Sequence, residues 1–221
     1  MSDTTPSTKK NEYFPGEYFE EALNAEFGYS RGDFCVPECS SSAGRLIIMC
    51  GYAGFSGAYV LCKEKKAELL SRFSESYLKN REIQKLFPLI TEAENFFRNK
   101  GYGYIPALEG GVFGALFTLS KENRLGFTVD MKKIPILQQT VEICNFLGGN
   151  PYKLYSAGAF IGCIRPEDEP EFTAFFKEHQ IPSAVIGVTQ KGVKKILLRG
   201  DEIRYLERTS KTFVLNKESA L

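Results

Sequence analysis

The chain of 221 residues contains no tryptophan and a single histidine, His179. A zinc site built from two or three histidines is therefore excluded within one chain, and any nucleophile that histidine activates has to use His179. His179 stands at the end of a helical pattern that Pro182 stops. Because cationic side chains favour helix C-termini, we predict that His179 caps a helix rather than taking part in catalysis.

An excess of charge of either sign is also missing, since 28 Lys and Arg residues face 27 Asp and Glu residues, for a net charge of +1. This balance removes the electrostatic case for a dedicated binder of nucleic acid or of an anionic membrane. No apolar run approaches the roughly 18 to 20 residues that span a bilayer, and the first residues show no signal-peptide core. We therefore expect a cytoplasmic protein with reduced thiols and without nucleic-acid or membrane partners.

The six cysteines fall into two groups. Four of them lie inside apolar stretches and are predicted to be core residues: Cys50, Cys62, Cys144 and Cys163. Cys35 and Cys39 instead flank a polar loop segment, where they are candidates for a metal half-site or a redox pair. Because a second pair at the same spacing is missing, the pattern favours an ordinary loop and no metal site.

The chain divides into a short N-terminal part and one large domain. Residues 1–12 are rich in Ser, Thr, Pro and Lys, which predicts a disordered tail. Residues 15–27 carry apolar side chains at helical spacing, which predicts a short docking helix. We assign residues 1–42 to this tail and docking segment, and residues 43–221 to the domain.

Strand and helix patterns alternate through the domain. Strands are predicted at 45–50, 102–108, 125–130, 159–164 and 183–189, with a hairpin at 194–199 and 203–206. Helices are predicted at 57–71, 76–86, 89–99, 111–123, 135–147 and 167–179. The alternation predicts an α/β (α+β) fold in which helices pack on a mixed β-sheet, with a split-βαβ, ferredoxin-like second half.

Two glycine-rich turns precede predicted helices. The turn at residues 51–57 has the spacing G-x-x-G-x-x-G and lacks Gly-Lys-Ser/Thr, so it is not a P-loop. Its glycines are better explained by a strand-to-helix reversal than by a ligand, although free amides at the next helix are able to hold an anion. The turn at residues 109–116 places Gly110 and Gly111 at a helix start and is the better candidate for an anion site.

The segment at residues 109–116 resembles the glycine motif in the C-terminal domain of the aminoimidazole-ribonucleotide (AIR) synthase superfamily, which typically reads Asp-x-Thr-x-Gly-Gly. Further segments are similar to the family in the same order, at residues 125–135, 140–151, 156–160 and 184–187. Together they resemble the hydrogenase expression/formation protein E type and its relatives over residues 43–208. The resemblance implies the fold of that domain, and it implies that the ligand-binding residues are Glu109, Gly110, Gly111, Ser156 and Gly158.

The resemblance also bears on cofactors. Family enzymes bind ATP and magnesium mostly through an N-terminal domain, which also pairs into a dimeric barrel. About 40 residues precede the similar region here, and they show no cluster of Asp residues. We therefore expect neither ATP nor magnesium as a cofactor of this chain alone.

This sequence departs from the family at positions that bear on catalysis. Pro106 and Leu108 stand where the family has Asp and Thr, and the last residues lack the reactive cysteine of the hydrogenase-maturation relatives. The carbamoyl-to-nitrile activity of those relatives is therefore not expected. We predict a non-catalytic ligand-binding or protein-interaction module that forms a homo-oligomer or binds a partner protein. The alternative is an enzyme subunit that binds a phosphate or nucleotide ligand at Gly110 and Gly111 and is completed by a partner chain.

Overall fold

The computed structural model describes residues 11–30, 32, 34–37, 43–79 and 83–215. Most of the predicted disordered tail, at residues 1–10, lies outside this description, and so does Cys39. None of the helices in the described ranges has the length and the apolar character needed to cross a membrane.

The strands form one large sheet and one small sheet. Their bounds are β1 Glu12–Phe14, β2 Leu46–Cys50, β3 Tyr104–Pro106, β4 Gly126–Asp130, β5 Phe160–Ile164, β6 Ser183–Gln190, β7 Lys195–Arg199, β8 Glu202–Tyr205 and β9 Phe213–Leu215. The large sheet has the order β3-β5-β2-β6-β4-β7-β8, and β1 pairs with β9 in the small one. In the large sheet β4 and β7 run parallel, whereas the other neighbouring strands run antiparallel.

The helices cover both faces of the large sheet. Their bounds are α1 Gly16–Phe27, α2 Phe55–Glu64, α3 Lys66–Leu69, α4 Glu75–Leu78, α5 Ile83–Asn99, α6 Gly111–Asn123, α7 Gln138–Leu147 and α8 Glu169–Glu178. Two short 3-10 turns, Met131–Lys133 and Pro166–Asp168, precede α7 and α8. This arrangement confirms the predicted fold class of a mixed sheet with packed helices.

Strand β2 shows why the sheet needs helices on both sides. Ile48 and Cys50 point into a core shared with α1, α2, α5, α7 and α8, whereas Ile47 and Met49 point into a core shared with α6. Side chains that follow each other along a strand face opposite sides of the sheet, so a strand that is apolar throughout has both faces buried. The molecule is therefore built in three layers, with the sheet in the middle.

The predicted split unit is formed by β5, α8 and β6. Both β5 and β6 pair antiparallel with β2, so they run parallel to each other with β2 between them. Gly162 of β5 lies directly under the Phe97 ring of α5, since a Cβ atom there would be 2.7 Å from Phe97 Cζ. Close packing of α5 on the sheet therefore depends on glycine at this position.

The predicted docking helix is present as α1, and its apolar side is buried. Phe19 and Leu23 of α1, together with Phe14 of β1, belong to the same core cluster as Ile48. Glu12, at the end of the predicted tail, lies in β1 opposite Leu215 of β9. The division of the chain at residue 42 stays a prediction.

Candidate functional site

The turn at Gly110 and Gly111 is buried against two other segments of the chain. Both residues have positive φ, of 75° and 60°. A Cβ atom on Gly111 would lie 2.5 Å from the Leu154 carbonyl oxygen and 2.7 Å from the Tyr152 carbonyl oxygen. Glycine is therefore needed here both for the backbone conformation and for the close approach of α6 to residues 152–154.

Two amides in the first turn of α6 have acceptors within the protein. Gly111 N–H donates to the Leu108 carbonyl at 2.8 Å, and Phe113 N–H donates to the Tyr152 carbonyl at 3.2 Å. Carbonyl oxygens thus occupy the space next to Gly111 in which the sequence places an anion. Packing accounts for both glycines in this structure, and an anion bound by their amides stays a prediction.

Glu109 lies beside the first turn of α1. Its carboxyl group lies against Gly16 in the first turn of α1, with Oε1 3.4 Å from the position of a Cβ atom on Gly16. Negative charge is favourable near a helix N-terminus, because unsatisfied amides and the macrodipole point towards it. The position of Glu109 therefore favours the start of α1.

Ser156 joins the two turns that precede β5 and α2. Its buried hydroxyl accepts from Gly54 N–H at 2.7 Å and donates to the Leu154 carbonyl at 2.8 Å. Gly57 N–H donates to the Tyr155 carbonyl at 2.9 Å. The turn at residues 51–57 thus packs on the turn at residues 154–159, in line with its structural interpretation.

Gly158 lines a cavity of about 410 Å³ between α5, β3 and the segment that follows α1. We call this the Glu94 cavity, and we define it by Tyr29, Phe87, Glu94, Arg98, Tyr104 and Gly158. Pro106 and Leu108, where the resembling family has Asp and Thr, also contribute to its wall. The cavity therefore lies beside the predicted site, on the sheet face covered by α5.

The polar end of the Glu94 cavity is formed by three side chains. Glu94 and Arg98 are four residues apart on α5 and so share one face of the helix. Tyr104 of β3 is 1% exposed, and its hydroxyl accepts a hydrogen bond from Arg98 Nη2. Burial raises the pKa of Glu94, while a hydrogen bond from Tyr104 and the charge of Arg98 act in the opposite direction. Burial also raises the pKa of Tyr104.

The opposite end of the cavity is aromatic. The Tyr29 and Phe87 rings stack with their centroids 5.5 Å apart and an interplanar angle of 22°. Phe27 packs on Phe87 at 6.0 Å. An aromatic wall that faces a cation, a carboxyl group and a phenol suits a small organic molecule with one polar group.

Glu94, Arg98 and Tyr104 are not among the site residues predicted from the sequence. The available signal was the spacing of Glu94 and Arg98 on a predicted helix, which also fits an ordinary surface pair. Only the packing of α5 on β3 brings Tyr104 to them.

Residues 109–198 match the protein family described as AIR synthase related protein, C-terminal domain. This part of the chain is an AIR synthase-related C-terminal domain. The match begins at Glu109, at the glycine turn, and ends in β7.

Individual relatives of the AIR synthase-related domain are hydrogenase maturation proteins. A putative hydrogenase expression/formation protein of Methanocaldococcus jannaschii is 23% identical over 165 residues, which is 74% of this chain and 47% of that protein. The carbamoyl dehydratase HypE of Rhizobium leguminosarum bv. viciae is 28% identical over 80 residues, which is 35% of this chain and 23% of that protein.

The crystal structure of E. coli HypE, a hydrogenase maturation protein, has a similar fold. It superposes with a TM-score of 0.61 at 17% identity, covering 80% of this chain and 53% of that one. The present chain thus spans about half the length of this structure and of the M. jannaschii relative.

His179 caps α8, as predicted. Its Nδ1 atom lies 2.9 Å from the Phe175 carbonyl oxygen, and its ring stacks on the Phe175 ring at 4.1 Å. Nε2 lies 3.3 Å from a carboxylate oxygen of Glu92 on α5. His179 therefore links α8 to α5 at the edge of the AIR synthase-related domain.

The cysteine predictions have different outcomes. The four predicted core cysteines are buried: Cys50, Cys62, Cys144 and Cys163. Cys35 is exposed, with Sγ 3.7 Å from the Val36 carbonyl oxygen. Across the described ranges no group of three or more His, Cys, Asp and Glu side chains is placed to hold a metal ion. Because Cys39 lies outside those ranges, the Cys35 and Cys39 pair stays a prediction.

Proposed function

We propose that this chain, whose AIR synthase-related domain is related to hydrogenase maturation proteins, is a ligand-binding module that does not catalyse an ATP-dependent reaction by itself. The observation that carries the proposal is the Glu94 cavity. It combines a volume of about 410 Å³, an aromatic wall and polar groups that line the same cavity, as small-molecule sites usually do. A carboxyl group whose pKa burial raises, set in such a cavity, is a further mark of a binding site.

The lining of the cavity indicates the class of ligand. The Tyr29 and Phe87 stack offers a flat apolar surface to a ring or a short hydrocarbon part. Arg98 is solvent-exposed at the mouth, and its guanidinium group donates to an anionic or carbonyl group of a ligand. We infer a small organic molecule with one apolar part and one acceptor group.

Two wall residues support binding without catalysis. Pro106 and Leu108 line the cavity where the resembling family has Asp and Thr. An apolar side chain neither coordinates magnesium nor transfers a proton, and Pro106 also lacks a backbone N–H. The cavity therefore keeps room for a ligand but has lost polar groups on its β3 side.

Ligand binding and catalysis are tested together on the purified chain. Thermal unfolding is followed with ATP, ADP, AMP, adenosine and a panel of small carboxylates as probes, since a ligand that binds the folded state raises the midpoint. We expect a saturable rise with at least one organic probe, a loss of that rise in Tyr104→Phe and Arg98→Gln, and no change in Arg72→Gln as control. If no probe binds, the ligand-binding proposal is wrong. Magnesium-dependent ATP hydrolysis by the chain alone contradicts the non-catalytic part.

We further propose that the module associates with a second copy of itself or with a partner protein through β8. This strand is the edge of the large sheet, and Ile203 and Tyr205 on it are 61% and 62% exposed. An edge strand has unpaired backbone groups that another chain is able to pair with. Light scattering across a concentration series tests self-association: Ile203→Lys should lower the mass and Val193→Lys should not. A chain that is monomeric throughout and captures no partner contradicts this part.

The second candidate function is an enzyme subunit that a partner chain completes, with a phosphate or nucleotide ligand at Gly110 and Gly111. It is favoured by the match to a relative named carbamoyl dehydratase, of which this chain covers 23%. Saturable nucleotide binding that survives in Arg98→Gln but is lost in Gly111→Ala, at a temperature at which that variant is still folded, supports this candidate over the first.

A further inference from the structure

A second cavity, of about 530 Å³, lies at the β7 and β8 end of the sheet and has an uneven charge. Its charged lining consists of four basic side chains and one acidic side chain: Lys153, Arg199, Arg204, Arg208 and Glu207. We call this cavity the basic cleft. The chain as a whole is nearly neutral, so this concentration of positive charge is a property of the fold and not of the composition.

Among the described residues, most of the cations in the basic cleft have no counter-ion. Arg204 pairs with Glu202 at 2.8 Å. Within the part of the chain that the structure describes, no acidic side chain forms an ion pair with Lys153, Arg199 or Arg208. Like charges that converge on one cavity raise its positive potential, and an anion bound there relieves their repulsion.

The cleft has a fixed wall on the side of α6. Tyr152 lines the cleft and stacks on Phe113 with centroids 5.4 Å apart and an interplanar angle of 12°. Tyr152 N–H donates to Asn150 Oδ1 at 3.0 Å, which holds the turn that carries Lys153. The basic groups therefore surround a rigid aromatic surface.

A neighbouring cavity of about 520 Å³ extends the basic cleft, since Asn145, Gly149, Asn150 and Lys153 line both. Hydroxyl groups of Thr209, Ser210 and Thr212 line the extension. Thr209 Oγ1 is buried there and has no hydrogen-bond partner among the residues that the structure describes. A buried hydroxyl without a partner is costly, and a polar ligand atom would satisfy it.

We propose that the basic cleft binds a phosphorylated small molecule that carries hydroxyl groups. The phosphate lies between Lys153, Arg199 and Arg208, and the hydroxyl-bearing part extends towards Thr209. Arginine suits the planar, paired recognition of phosphate oxygens, and lysine adds a point charge. The site is separate from the Glu94 cavity, so the proposal does not rest on the proposed function.

The basic cleft also adjoins the glycine turn without using its amides. A Cβ atom on Gly110 would lie 2.8 Å from Thr209 Cγ2, so the turn packs against the floor of the extension. Phosphate held by side chains beside this turn is distinct from phosphate held by the first amides of α6. The substitutions below separate the two.

The experiment uses ribose 5-phosphate as the probe, with ribose and inorganic phosphate as comparisons, in calorimetric titrations of the full chain at low salt. We expect saturable binding of ribose 5-phosphate, weaker binding of phosphate and none of ribose. Each of Arg199→Gln and Arg208→Gln should weaken ribose 5-phosphate binding about tenfold, because each removes a charge-assisted hydrogen bond. Thr209→Val should weaken ribose 5-phosphate binding without affecting phosphate.

Control variants separate a built site from general attraction of anions. Arg98→Gln, in the Glu94 cavity, and Arg72→Gln, on the surface, should bind ribose 5-phosphate like the unaltered chain. Unfolding midpoints without ligand establish that every variant is folded. Absence of ribose 5-phosphate binding overturns the proposal, as does an equal loss in the control variants or a loss confined to Arg98→Gln. Loss of organic-probe binding at the Glu94 cavity leaves the basic cleft proposal unaffected.

Discussion

Replacing Gly111 by alanine separates a packing role of this glycine from a ligand-binding role. The substitution places a side chain on a residue with a φ of 60°, which costs L-amino acids about 1–2 kcal/mol. It also puts Cβ 2.5 Å from the Leu154 carbonyl oxygen and 2.7 Å from that of Tyr152. These are backbone atoms that cannot rotate away, and overpacking of this kind costs about 1–3 kcal/mol. We therefore expect Gly111→Ala to lower the free energy of unfolding by about 2–5 kcal/mol.

Gly101 provides the matched control. Its φ is 74°, and apart from its chain neighbours no described residue has an atom within 4 Å of its Cβ position. Gly101→Ala should therefore show the conformational cost alone, about 1–2 kcal/mol. Both variants are measured by urea unfolding at 25 °C and by thermal unfolding, where each kcal/mol corresponds to roughly 2–4 °C for a domain of this size. Equal losses in the two variants would refute close packing as the reason for Gly111.

Three further predictions concern buried groups. Glu94→Gln should gain stability relative to the unaltered chain as the pH rises from about 4 to about 8, because burial favours the protonated form of Glu94 and that form is lost above the raised pKa. Unfolding midpoints at both pH values check this expectation, and a constant difference between the two proteins contradicts it. Ser156→Ala should lower the free energy of unfolding, measured in urea, by about 1–3 kcal/mol, because Gly54 N–H loses its buried acceptor. A smaller loss would show that another group accepts the hydrogen bond from Gly54 N–H. Gly162→Ala should lower the free energy of unfolding by about 1–3 kcal/mol, because the new methyl group meets the Phe97 ring. Hydrogen exchange of the α5 amides should become faster in the same variant, and unchanged exchange would argue against the contact.

Elements with strong local signals could be predicted from the sequence. The helix predicted at 111–123 is α6, Gly111–Asn123, because a pair of glycines marks its start. The cap at His179 and the buried cysteines also follow from neighbouring residues alone. Such signals act within one or two turns, and no distant contact is needed to interpret them.

Other elements depend on packing that a local pattern does not contain. Helices predicted at 76–86 and 89–99 are replaced in part by α5, Ile83–Asn99, which runs through Pro88. Proline removes one helical hydrogen bond, but Ile90, Ala93 and Phe97 keep one face of α5 buried in the core. The helix predicted at 57–71 is divided at Lys65 into α2 and α3. Tertiary contacts here outweigh local preference.

The candidate sites depend even more on tertiary packing that the sequence pattern does not contain. The predicted ligand-binding residues have contacts inside the protein, and ligand binding by them stays a prediction: Glu109, Gly110, Gly111, Ser156 and Gly158. The Glu94 cavity and the basic cleft are instead assembled from segments far apart in the chain. The net charge of the chain does not indicate the basic cleft, because acidic residues elsewhere balance the excess of positive charge in the cleft.

The pairing of β1 with β9 makes the chain suitable for circular permutation. Glu12 lies opposite Leu215, so a linker of a few residues would join these two positions. New ends could be opened at Gly192, which lies between β6 and β7; apart from its chain neighbours, no described residue has an atom within 4 Å of its Cβ position. Such a permutant would keep the strand pairings described above. The β1 and β9 pair, whose strands are far apart along the natural chain, would become a local hairpin. Because local contacts form faster than distant ones, it should fold faster than the natural order of segments.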